Sequence, residues 1–207
     1  MPELPSHCFA DIPQPWRLTH PQLRRAAIAR LGCDAENRDA VLRLLDRVLE
    51  VLQTSPEPPL PEPILTYWEF TAAWLAEAMP EMAGVSEQAV AALLEQKGLG
   101  SPVSAAELTE YFSWWVVADL VRSLLAWLRD MPAACRSTID AAHFLKLAER
   151  RWRGLQPYLA GELFRAAVEV LGAGARPLLE AVGNDPAVPE PVRAAAGNYA
   201  SWIDLPT

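Results

Sequence analysis

The sequence predicts an all-α fold, and three observations carry that prediction. Apolar residues recur at 3-and-4 spacing along most of the chain. Helix start and stop residues punctuate those segments at regular intervals. No stretch alternates with the period of two that a strand requires. The expected architecture is an irregular helical array or bundle of about eight to nine helices.

Residues 1–18 are Pro-rich and read as an extended N-terminal arm docked by Phe9, Ile12 and Trp16. A single all-α domain is expected over 19–207. Its first helix opens at Thr19-His20-Pro21, where Pro suits the first turn, and stops at Gly32. Asp34 can cap the next, over 35–53, with Val41, Leu44, Leu45, Val48, Leu49 and Leu52 on one face. Residues 55–63, SPEPPLPEP, hold five prolines, which forbid a helix and favour an extended crossover. A helix over 64–79 carries Trp68, Ala72 and Leu75, and Ser86 caps a short helix ending at Gly98.

Ser104 and Glu107 form a capping box that starts the longest helix, about 105–130. Later helices are expected from Ser137 or Thr138 to about Arg153, over 157–171, over 176–182 and over 191–203. The run 111–128, YFSWWVVADLVRSLLAWL, is apolar enough to raise a membrane span. Asp119 and Arg122 argue against it, because each charge at a bilayer centre costs ~2.5–3.5 kcal/mol. A helix buried within a helical bundle fits better.

Composition narrows the function classes. Lys+Arg is 18 against 26 Asp+Glu, a net charge of -8, so a basic nucleic-acid binder is disfavoured. Three cysteines, Cys8, Cys33 and Cys135, fit neither a disulfide framework nor a zinc site. With no apolar run near the start, they point to a cytoplasmic protein. Sixteen Arg against two Lys, with many Ala and Pro, suggest a bacterial coding bias. Charge is segregated: residues 48–130 carry twelve acids and three bases. An acidic face with Glu69, Glu77 and Glu81 as partner-binding residues is expected for a basic protein partner.

The chemistry-bearing residues are few. Trp115, Asp119, Arg122 and Ser123 fall at i, i+4, i+7 and i+8, so one helix face could hold an aromatic cleft with an acid and a base. The alternative for the same residues is an Asp119–Arg122 pair inside the core. Asp140 and His143 have the i, i+3 spacing of half a helical di-metal motif, although a capping role explains them as well and no metal or other cofactor is expected. Lys146, Arg150 and Arg153 form a basic ridge beside Trp152. No phosphate loop and no hydrolase or zincin signature is present. Eight tryptophans exceed what a core of this size holds, and the surplus is expected in a groove or an interface.

Two local resemblances extend this reading. Residues 176–202, a short apolar helix, an Asp-Pro turn and Val-Arg-Ala-Ala-Ala, resemble one HEAT-type helical hairpin, and 19–32 resembles the second helix of such a unit. Ser113-Trp114-Trp115 followed by Asp119 is similar to the motif of HEAT-like alkylpurine DNA glycosylases. That resemblance implies Trp115 and Asp119 lining a cleft, joined by an Arg from a later helix, for which Arg165 is the candidate. The acid that follows the second Trp in that family is Val116 here. The expectation is therefore a protein-binding helical module: an adaptor, a secretion chaperone or a toxin-neutralising immunity protein. The alternative is an enzyme or small-molecule binder built on Trp115, Asp119 and Arg122.

Overall fold

A computed structural model describes residues 35–58, 88, 91–92, 95, 105–131 and 139–204. Among them every regular element is helical and there is no strand. Six α-helices follow one another: α1 (Ala35–Thr54), α2 (Ala105–Asp130), α3 (Ala141–Arg151), α4 (Pro157–Leu171), α5 (Arg176–Gly183) and α6 (Glu190–Trp202). A 3-10 turn, Gly172–Ala175, joins α4 to α5. The arm at 1–18, the helices expected at 19–32 and 64–79, and all three cysteines lie outside the described residues.

The chain falls into two compact units. One comprises Met1–Arg30 and Ser55–Leu120, the other Leu31–Thr54 and Val121–Thr207. The division lies within α2, between Leu120 and Val121.

In the first unit, Trp114 is buried, and its indole N–H donates to the Ser55 carbonyl at 2.9 Å. A buried Trp needs such a partner, because an unmade hydrogen bond costs ~1–3 kcal/mol. Residues 56–58 follow the end of α1 without regular secondary structure, as fits their prolines. Burial raises the Glu57 carboxyl. Burial first, and then the Glu57 charge, raise the Tyr111 phenol.

In the second unit, α1 buries Val41, Leu42, Leu45, Val48, Leu49 and Leu52. Leu42 takes the place expected for Leu44, which is only half-buried. Its polar flank is as informative as its apolar stripe. Asp46, Glu50 and Gln53, at i, i+4 and i+7, all reach α3. Arg151, buried at the end of α3, donates through Nε to Asp46 Oδ1 at 2.7 Å and through Nη1 to Gln53 Oε1 at 3.0 Å. Its Nη2 lies 3.4 Å from Glu50. Arg150 adds a second bond to Asp46 Oδ1 at 2.6 Å.

The Gln53 amide also closes the end of α3. Its Nε2 donates to the Arg151 and Arg153 carbonyls at 3.0 and 2.7 Å, with Arg150 O at 3.3 Å. The last carbonyls of a helix have no intrahelical donor, so a side chain from α1 supplies one. This cap and the N-cap at Asp140 set α3 at Ala141–Arg151, shorter at both ends than the sequence suggests. Gly154 then reverses the chain with φ of 78°, a conformation that suits glycine.

Pro157 begins α4 at a position where its missing N–H costs nothing. Leu159, Leu163, Phe164 and Ala167 face inward from α4, and the Phe164 ring meets Trp152 at 6.3 Å. Helices α5 and α6 form a hairpin whose turn is fixed by Asp185. Its Oδ1 accepts from the Ala187 N–H at 2.9 Å. α6 packs on α4 as well as on α5. Small residues allow the approach: a methyl added to Gly161 would meet Ala195 Cβ at 3.8 Å.

Burial opposes ionisation of Asp46, but hydrogen bonds and charge from Arg151 and Arg150 outweigh it and hold the carboxyl below its ordinary value. A depressed folded-state value contributes stability above about pH 4, and that contribution is lost as pH falls through the folded value. Asp46→Asn should therefore cost about 1–2 kcal/mol at pH 7, less than a fully buried pair because Asp46 is part-exposed. Denaturant titrations of both proteins across pH 2–7 should converge at the acid end. A gap that persists unchanged at pH 2 would contradict the assignment.

Candidate functional site

Helix α2 is enclosed along most of its second half. Of residues 117–128 only Arg122 is exposed, while Asp119 and Ser123 are buried and Trp115 is half-buried. The four residues expected on one face are therefore divided. At about 100° per residue Arg122 lies beside the half-buried Trp115 at the solvent edge of that face, and about 100° round from the buried Ser123. The core Asp119–Arg122 pair expected from sequence does not form: one residue is inside and the other outside. Trp115, Asp119 and Ser123 all have interaction partners.

The other sequence candidates take structural roles. Asp140 is the N-cap of α3, its Oδ1 accepting from the His143 N–H at 3.0 Å. Among the described residues no cluster of three or more His, Cys, Asp or Glu could hold a metal ion. Arg165 pairs with Glu169 one turn on, at 3.0 Å, and that hydrogen bond first and foremost raises its pKa. Of the basic ridge, Lys146 is exposed, Arg150 is bonded to Asp46, and the Arg153 guanidinium lies 4.7 Å from the Trp152 ring centre. Glu69, Glu77 and Glu81 lie outside the described residues.

Five of the eight tryptophans lie among the described residues. Trp114, Trp127 and Trp152 are buried, Trp115 is half-buried, and Trp202 is 45% exposed. Trp202 and Tyr158, also 45% exposed, are the large hydrophobic side chains that the described residues leave in solvent. Both line one open cleft of ≈ 400 Å³ between α4 and α6. Pro157, Tyr158, Gly161 and Glu162 come from the first turns of α4, and Ala195, Asn198, Tyr199, Ser201 and Trp202 from the last turns of α6.

Sequence reasoning did not single out this cleft. Tyr158 and Tyr199 are isolated aromatics on Ala-rich helices, and only the folded hairpin brings them together. The surplus of Trp was the available signal, without a position attached.

Local packing makes the site firm. Tyr199 and Trp202, three residues apart on α6, meet edge to face, with centres 4.8 Å apart and planes at 77°. Glu162 is held by Arg129 of α2 at 2.5 Å. Burial first, and then the Glu162 charge, raise the Tyr199 phenol, with Arg165 and Arg129 opposing, so it remains a neutral O–H donor. Arg176, at the start of α5, is paired with Asp204 just beyond α6.

The chain matches no known protein-family model, no curated protein and no solved structure. No described helix is long and apolar enough to cross a membrane.

Because Arg122 faces solvent, Arg122→Ala should change the unfolding free energy by no more than about 0.5 kcal/mol, as for surface substitutions generally. A urea midpoint measured at unchanged m-value tests this. A loss of 3 kcal/mol, as when a buried pair is broken, would reinstate the core pair.

Proposed function

We propose that this protein works by binding another protein, as an adaptor, secretion chaperone or toxin-neutralising module, and that the C-terminal helices carry the contact. One observation supports this reading above the others: the two large aromatic side chains most exposed among the described residues, Tyr158 and Trp202, share a single cleft. Exposed aromatics scattered singly need no explanation, whereas clustered ones are typical of interfaces. Covering the remaining surface of each ring would contribute about 2 kcal/mol. The net charge of -8 fits a basic partner, drawn in by long-range attraction.

A photo-crosslinking residue placed at Tyr158, in a lysate of the source cells, tests the reading. A discrete adduct should form there, be competed by unlabelled protein, and be absent when the probe sits at the exposed Glu180 of α5. Diffuse labelling of equal strength at both positions would contradict the proposal.

A further inference from the structure

The cleft between α4 and α6 carries no free charge. Glu162 is the one charged residue among those that line it, and Arg129 already pairs with it at 2.5 Å. An ionic ligand would find no counter-charge there. The cleft offers ring surface instead, from Tyr158, Tyr199 and Trp202. Tyr199 and Trp202 stand at 77° to one another, which leaves a corner between two ring surfaces.

That corner also presents hydrogen-bond donors. The Trp202 indole N–H can only donate, and the Tyr199 phenol stays a neutral O–H. Among the described residues neither group has a hydrogen-bond partner within the protein. The exposed Asn198 amide, one turn before Trp202, adds two more N–H positions. The matching ligand is uncharged, has rigid apolar surface and brings carbonyl acceptors.

We propose that this cleft seats a proline-rich segment of the protein partner in the polyproline II conformation. The inference deepens the docking reading and rests on it. Proline rings lie in the corner between Tyr199 and Trp202 and against Tyr158, and the segment's carbonyls accept from Trp202 Nε1 and the Tyr199 hydroxyl. Polyproline II makes no internal hydrogen bonds, so every carbonyl is available. A proline has no N–H, whereas other residues would bring donors that the Trp202 indole cannot receive. The segment is also extended before it binds, which lowers the ordering cost.

The test uses the full-length protein and the indole N–H signal of Trp202 in a ¹⁵N NMR spectrum, assigned by its loss in Trp202→Phe. The main probes are acetyl-hexaproline-amide and a Gly-Ala repeat peptide of equal length, which keeps the carbonyls, adds N–H groups and lacks the rings. Two further probes are methyl β-glucoside, an uncharged ligand of another class, and SPEPPLPEP, the sequence of residues 55–63. Hexaproline should shift the signal and bind about fivefold more tightly than the Gly-Ala peptide, because it is rigid beforehand. Tyr199→Phe keeps the ring against Trp202 but removes one donor, and should weaken hexaproline about threefold. Tyr158→Leu keeps apolar area, removes one ring face, and should weaken it about twofold.

Equal binding of hexaproline and the Gly-Ala peptide, no shift with either, or unchanged affinity in both variants overturns the proline site. Methyl β-glucoside binding more tightly than hexaproline assigns the cleft to a free sugar, and SPEPPLPEP binding more tightly assigns it to this chain's own prolines. Either result overturns the partner segment. Crosslinking at Tyr158 is read separately. A discrete partner without proline selectivity removes this inference alone, and proline selectivity without a partner removes the docking reading.

Discussion

A buried guanidinium must be matched, and the second unit is arranged around that requirement. Arg151 cannot lose its charge, and leaving it unpaired inside the protein would cost several kcal/mol. Asp46, Glu50 and Gln53 meet it from a helix about a hundred residues earlier in the chain. The same Gln53 side chain closes the carboxyl end of α3. One stripe of α1 thus satisfies both a side-chain charge and the terminal carbonyls of another helix.

Everything that positions the cleft follows from where α3 ends. Trp152 and Leu155 are buried directly after it, and Trp152 touches Phe164 of α4. Gly154 turns the chain into Gln156 and Pro157, whose register sets Tyr158 and Glu162 on the exposed side of α4. α6 then approaches across Gly161, bringing Tyr199 and Trp202 alongside. The site is made by rigid helix ends rather than by a loop, which limits the ordering that binding must impose.

Helices were legible in the sequence because caps and breakers act locally. Pro157, Gly172 and the Asp185 turn mark their boundaries without help from distant residues. α3 was the exception, since its last carbonyls are capped by Gln53, a partner that no local pattern can announce. The core of α1 was nearly legible, and the exchange of Leu44 for Leu42 reflects neighbours that periodicity does not see. Spacing alone placed Arg122 with Asp119, but a long charged side chain beside an enclosed helix reaches for water when it can. The cleft was hidden for the same reason as the α3 cap: its residues come from two helices about forty positions apart.

The most direct test of this account is a double-mutant cycle joining α1 to α3, with Asp46→Ala, Arg151→Met and the double variant compared by equilibrium unfolding at pH 7. The account predicts that the two losses are not additive. The double variant should be more stable than the sum of the singles predicts by about 1–3 kcal/mol, because removing both partners leaves no stranded charge. Additivity within about 0.5 kcal/mol would mean that Asp46 and Arg151 act independently, and the matched guanidinium would not be what organises this unit.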